Sequence, residues 1–159
     1  MGKSDEGIGG SISDTTKNRY LSFVIGDENF GMEIDTVKEI INTFDITPVP
    51  HTPDYIKGIM NLRGDIIPII DVRTRFLMEP KEYDELTCIV VLEHKDGNIG
   101  LIIDSVNEVK YVPEKNISAP PAAKLNYVNQ FIKNLGRTDS YVMLLIETQK
   151  LLFDDPQSA

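Results

Sequence analysis

From Arg19 onward, hydrophobic positions recur with a period of two: Leu21, Phe23 and Ile25 occupy one register and Tyr20, Ser22 and Val24 the other. That period belongs to a strand laid against a core. Gly26-Asp27-Glu28-Asn29 then supplies turn residues before Phe30 resumes the strand pattern, which predicts a hairpin. A second hairpin is predicted for residues 89–93 and 99–104 around Asp96-Gly97-Asn98, because Asp-Gly favours a tight turn. Between them, Pro48, Pro50 and Pro53 remove donors and restrict their neighbours, so this stretch reads as an ordered loop. Residues 65–71 read as a strand that Pro68 demotes to an edge or bulged position. Helical periodicity is confined to residues 71–78 and 147–153, each following a strand. The pattern predicts a mostly β chain of several short strands, as in small barrels.

The chain also repeats itself. Asn29-Phe-Gly-Met-Glu-Ile-Asp-Thr-Val-Lys-Glu-Ile40 overlays Asn98-Ile-Gly-Leu-Ile-Ile-Asp-Ser-Val-Asn-Glu-Val109 at an offset of 69 (98 minus 29), with identity at Asn, Gly, Ile, Asp, Val and Glu. Further on, Ile56-Lys57 falls on Ile132-Lys133, and residues 66–71 on 142–147, at an offset of 76 (132 minus 56). Self-similarity of this kind sets architecture. It implies two related β-units, near residues 18–83 and 84–153, flanked by tails at 1–17 and 154–159. Units of roughly 70 residues are marginal alone, so a shared buried interface is expected. Whether strands exchange between the units is left open. The repeats differ most at Gly58-Ile-Met-Asn-Leu-Arg-Gly64, whose second-half match is Asn134-Leu-Gly-Arg-Thr-Asp-Ser140, and this marks the first copy as a candidate functional element.

Composition narrows the functional classes. With 159 residues, 41% hydrophobic and 26% charged, the chain is of ordinary globular make-up. A net charge of -9 without a Lys/Arg cluster argues against a nucleic-acid grip and against an anionic membrane surface. No apolar run approaches the roughly 20 residues of a spanning helix, and residues 1–17 lack the apolar region of a secretory signal. Gly7, Gly9 and Gly10 resemble a dinucleotide loop only superficially, since no strand precedes them. The lone Cys88 excludes an internal disulfide and is compatible with a reducing cytoplasm.

Candidate chemistry is sparse. His51 and His94 stand at no metal-ligand spacing. Cys88 opens an apolar strand, where cysteine is usually a small hydrophobe. Asp35 with Glu39, and Asp104 with Glu108, are conceivable carboxylate dyads, but they recur identically in both units. No cofactor or metal is expected, and an enzyme built on those pairs is the outside alternative.

Val37-Lys-Glu39-Ile, Thr52-Pro-Asp-Tyr-Ile-Lys57-Gly58, Asn61-Leu-Arg63-Gly64-Asp-Ile-Ile-Pro68-Ile-Ile-Asp71-Val-Arg73 and Ile99-Gly100-Leu-Ile-Ile-Asp104-Ser-Val-Asn-Glu-Val109 together resemble the CheW family of bacterial chemotaxis adaptors over residues 19–153. The resemblance implies two SH3-like five-stranded β-barrels with short helices sharing a core, and a non-catalytic scaffold. It implies as partners the regulatory domain of the histidine kinase CheA and the cytoplasmic tip of methyl-accepting chemoreceptors, which binds a groove between the barrels. It further implies a cytoplasmic protein recruited to receptor arrays. Val37, Glu39 and Arg63 match receptor-binding positions, and Gly58, Gly100 and Val109 match kinase- or receptor-binding positions. A CheW-like regulatory module from a larger kinase or receiver-containing coupling protein is the alternative. The chain departs from the family pattern at Leu144-Leu145-Ile146-Glu147, where Leu-Leu-Asp is usual, and at Asn134, where a glycine is usual.

Overall fold

The computed structural model describes residues 17–120 and 127–152; apart from Lys17, the tails expected at 1–17 and 154–159 lie outside the described residues. The expected hairpins form. β1 (Arg19–Ile25) and β2 (Glu28–Glu33) turn at Gly26-Asp27, and β6 (Cys88–His94) and β7 (Gly97–Ile103) turn at Lys95-Asp96. The remaining strands are β3 (Val37–Ile41), β4 (Ile56–Leu62), β5 (Asp65–Asp71), β8 (Ser105–Tyr111), the two-residue β9 (Ile117–Ser118), β10 (Ile132–Arg137) and β11 (Val142–Ile146). One sheet runs β8-β1-β2-β11-β10-β9 and the other β3-β6-β7-β5-β4.

These orders resolve the question of strand exchange. By the repeat offsets β1 to β5 correspond to β6, β7, β8, β10 and β11. The hairpin β1–β2 of the first repeat inserts among the strands of the second, and β6–β7 inserts among those of the first. Each insertion is sealed by one parallel contact, β2 with β11 and β7 with β5. The two SH3-like barrels are therefore hairpin-exchanged; barrel 1 denotes the β3-β6-β7-β5-β4 sheet and barrel 2 the other. The symmetry extends to irregularities, since register shifts fall at Lys38 in β3 and Asn107 in β8, and at Lys57 in β4 and Lys133 in β10.

The largest buried cluster lies between the barrels. Leu21, Phe23, Phe30 and Met32 of barrel 2 meet Ile70, Val90, Leu92 and Leu101 of barrel 1 there. Phe23, Phe30, Phe76 and Phe131 cross this core in sequence, with successive ring centroids 5.7, 5.4 and 5.2 Å apart. Smaller clusters fill each barrel, around Met60, Ile67, Ile89 and Val91 in one and Tyr20, Val112, Met143 and Leu145 in the other. In β6, Val90 and Leu92 face the shared core while Ile89 and Val91 face the barrel interior. Both faces are thus buried, which explains an apolar run with no alternation. Each such side chain stabilises the fold by about 1.5–3 kcal/mol.

β5 corrects one expectation. It is an interior strand, lying between β7 and β4, and the register shift beside it belongs to β4. Pro68 is tolerated because its partner Ile59 directs both its N–H and its carbonyl to Thr47, at 2.9 Å each, so the Ile59–Pro68 pair needs no ladder bond. The parallel ladder to β7 starts one residue later, at Ile69. The helical stretch expected at 71–78 shortens to α1 (Val72–Arg75), started by the Asp71 carboxylate accepting from the Thr74 N–H and followed by the left-handed Leu77 (φ 59°). Of the stretch expected at 147–153, residues 147–152 are described, and among them the 3-10 turn Thr148–Lys150 is the helical piece.

Candidate functional site

Arg63 and Gly64 connect β4 to β5, and both take positive φ, 53° and 87°. Two such residues in succession make the mirror-image turn that matches strand twist. The Asn61 carboxamide oxygen accepts from the Gly64 N–H at 2.8 Å and holds the turn. Arg63 is consequently thrust outward, its side chain 72% exposed, and it pairs with Glu39 on β3. β3 and β4 are the terminal strands of their sheet, so this ion pair joins the two edges of barrel 1. The structure thereby brings together Glu39 and Arg63, which lie 24 residues apart in the chain.

Val37 stands two residues before Glu39. It ends the 3-10 turn Ile34–Thr36, by which the chain crosses from barrel 2 to barrel 1, and it packs half-buried on the shared core. Gly58 and Gly100 are buried and present no side chain to a partner. A Cβ on Gly58 (φ 150°) would stand 2.2 Å from the Thr47 carbonyl oxygen; one on Gly100 would meet Ile69 Cδ1 at 2.7 Å and Ile89 Cγ2 at 2.9 Å, where β7 joins β5. Both glycines serve close approach of backbone and core. Val109 lies apart from the Glu39–Arg63 pair, on β8 of barrel 2, and is 51% exposed.

The repeat reveals functional candidates that the sequence reading missed. Val109 corresponds to Ile40 (109 minus 69), which is also exposed, and the exposed Ile66 corresponds to the exposed Val142 (142 minus 76). Each barrel thus carries one such apolar pair on equivalent strands, and barrel 2 adds the exposed Tyr111, with Arg19 stacked 5.2 Å from its ring centre. Applying the repeat offset to Val109 would have found Ile40 from sequence.

The imagined carboxylate dyads are otherwise engaged. Asp104 receives bonds from Arg73 Nε and Nη2 at 2.9 and 2.8 Å and from the Gly26 N–H at 2.8 Å. Burial pushes its carboxyl up, but Arg73 and the Gly26 N–H outweigh that and hold it below the ordinary carboxylate range. Glu108 accepts from the Tyr141 hydroxyl at 2.7 Å, and Glu39 holds Arg63. Cys88 is buried in the shared core, and that burial pushes its thiol up from its ordinary value. His94 is buried, bonded to the Gln149 carbonyl and the Asp96 N–H, while His51 is exposed in the proline loop. Among the described residues no group of three or more His, Cys, Asp or Glu is placed to hold a metal ion, and no helix is long and apolar enough to cross a membrane.

Intertwined SH3-like barrels with a cation fixed on a tight turn and an apolar pair on each barrel define a module whose prominent features are surfaces rather than a cleft full of reactive groups. The family model of the CheW-like domain matches residues 19–155. The chain is 33% identical over 139 residues to the chemotaxis protein CheW of Klebsiella aerogenes, covering 87% of this chain and 84% of that one. It is 31% identical over 137 residues to the chemotaxis protein CheW of Treponema pallidum, covering 84% and 81%. The crystal structure of the scaffolding protein TtCheW from Thermoanaerobacter tengcongensis superposes with a TM-score of 0.82 at 31% identity, covering 87% of this chain and 94% of that one. The chain belongs to the CheW-like family of chemotaxis adaptors.

Proposed function

We propose that this chain is a non-catalytic cytoplasmic scaffold that couples the tip of a methyl-accepting chemoreceptor to the regulatory domain of the histidine kinase CheA. The reading needs no cofactor, nucleic acid or membrane insertion. The observation that carries it is Arg63, presented on a rigid turn and oriented by Glu39. A guanidinium fork held in this way suits the carboxylates of a helical hairpin tip, because it makes two parallel bonds in fixed geometry. Val37, beside the crossing between barrels, adds apolar contact to the same partner. The kinase domain, of like fold, is assigned to an apolar barrel pair, with Val109 and Val142 as its anchors. Gly58 and Gly100 act on partner binding through packing. Holding two partners at once raises their effective concentration without any chemistry.

Pull-down of Arg63→Glu with a receptor cytoplasmic fragment and, separately, with the kinase tests the assignment. Receptor capture is expected to fall while kinase capture persists, and undiminished receptor capture would refute it.

A further inference from the structure

Arg75, on α1, is only 3% exposed and takes no part in the surfaces above. Its guanidinium lies between the rings of Tyr55 and Phe131, 4.2 and 4.8 Å from their centres. Nε donates to the Leu151 carbonyl at 2.7 Å, Nη1 to the Tyr127 hydroxyl at 2.9 Å and Nη2 to the Lys150 carbonyl at 3.2 Å. Tyr55, which precedes β4, sends its own hydroxyl to the Leu152 carbonyl. An arginine rooted in the first repeat therefore grips two segments of the second: the 3-10 turn Tyr127–Phe131 leading into β10, and the end of the turn Thr148–Lys150 that follows β11.

The gripped turn lines a cleft at the end of barrel 2, beside the crossing to barrel 1. The cleft, of about 170 Å³, is lined by Glu33, Thr36, Lys133, Glu147, Thr148 and Gln149. It lies where the chain crosses from one barrel to the other, and Thr36 leads directly into Val37. Within that lining Lys133 bonds Glu33 at 2.7 Å and lies 3.9 Å from Glu147. Behind this turn the planar fork satisfies two backbone carbonyls and one hydroxyl at fixed angles while its faces pack on aromatic rings. A lysine reproduces the charge but not the fork.

We infer that Arg75 is a positioning residue for coupling: by anchoring residues 148–152 across the barrel interface it sets the seam beside Val37 that receives the receptor tip. The inference rests on the proposed receptor-binding role. A site must be held by supporting bonds to well under 1 Å, roughly 0.5 Å, to keep its geometry, so release of this turn acts on the groove more than on the barrels themselves.

The test uses the full chain with Arg75→Met, Arg75→Lys and the milder Tyr127→Phe, which leaves the guanidinium in place. Three properties are measured: affinity for the receptor-tip fragment, affinity for the kinase regulatory domain, and amide exchange at residues 148–152. Arg75→Met is expected to weaken tip binding roughly tenfold or more, with kinase binding within about twofold and faster exchange at 148–152. Arg75→Lys and Tyr127→Phe should show the same split in smaller measure, which decides the matter if the methionine variant does not fold. Unchanged tip affinity in a folded variant with faster exchange would overturn the inference, as would equal loss of both partners. Failure of the unaltered chain to bind the tip would instead overturn the receptor reading.

Discussion

Barrel 1 joins its edges with Glu39 against Arg63, whereas in barrel 2, whose sheet gains the two-residue β9, the corresponding Glu108 accepts from Tyr141, and Asp139 stands where the repeat offset puts Arg63. Lys110 lies 3.9 Å from Glu108 and 3.7 Å from Asp139, so the charges are rearranged around an unchanged frame. The contacts that tie each exchanged hairpin down differ as well. Arg73 binds Asp104, which binds the Gly26 N–H at the β1–β2 turn; its counterpart Gln149 (73 plus 76) reaches the Lys95 N–H at the β6–β7 turn directly, at 3.2 Å. Where a loop strand crosses over, Gly58 leaves no room beside Thr47, while its counterpart Asn134 fits a side chain beside Ser118. The frame requires a contact at each of these places and tolerates either chemistry. What differs between repeats is therefore where partner recognition has room to be written.

The largest expected effect breaks the comparison at the crossover. Gly58→Ala is expected to cost about 3 kcal/mol or more, because its Cβ would stand 2.2 Å from the Thr47 carbonyl oxygen, in backbone that two hydrogen bonds tie to Ile59. Asn134→Ala should cost less than about 1 kcal/mol. Denaturant unfolding of the two variants measures the contrast, and equal costs would show that both crossovers are packed alike.

Next in size is the clamp. Asp104→Asn strands Arg73 in a largely buried place, and about 2 kcal/mol is expected, below the ~3–5 kcal/mol of a fully buried broken pair. Gln149→Ala, which removes a neutral bond, should cost about 1 kcal/mol or less. The clamp also carries a pH signature. Because the Asp104 carboxyl is held below its ordinary value when folded, its contribution is present above the unfolded pKa of about 3.9 and is lost as pH falls through the lower folded value. Thermal unfolding between roughly pH 5 and 2 should therefore show an acid loss that Asp104→Asn flattens and Gln149→Ala leaves intact.

The smallest effect on folding is expected at the barrel-closing pair. Arg63→Glu should alter stability by no more than about 1 kcal/mol, as exposed ion pairs do. It should nevertheless lower receptor-tip affinity roughly tenfold, while Asp139→Arg, at the matching place on barrel 2, leaves that affinity unchanged. Calorimetric titration with the tip fragment distinguishes the two.

Much of this frame was legible from residues. The hairpins follow from alternation and from the turn residues between the runs, although the second turns at Lys95-Asp96 rather than at Asp96-Gly97-Asn98, and the twofold plan follows from the offsets 69 and 76. Hairpin exchange was not legible, because an offset says that two units are alike without saying whose β5 or β11 a β2 strand meets. Pro68 misled for a related reason, since its missing N–H is harmless because the Ile59–Pro68 pair makes no ladder bond and the ladder to β7 starts at Ile69. In the candidate site, Glu39 and Arg63 were recognised through family resemblance, while their meeting across the edges of barrel 1 follows only from the fold. Ile40, Ile66 and Val142 were passed over because an outward apolar residue on a strand is ordinary until its counterpart in the other repeat is found exposed too. Arg75 was hidden more completely, for an arginine in a short helical pattern reads as solvated, and only the meeting of Tyr55, Phe131 and the last carbonyls buries it.

A chain that works as proposed holds receptor and kinase simultaneously through separate surfaces. Retention of the kinase on immobilised receptor fragment, measured against increasing amounts of this chain, tests it most directly. Retention is expected to appear only when the chain is added, to rise and then fall as excess chain saturates each partner separately, and to be lost with Arg63→Glu. Kinase retained equally without the chain, or receptor and kinase displacing one another from it, would contradict the account.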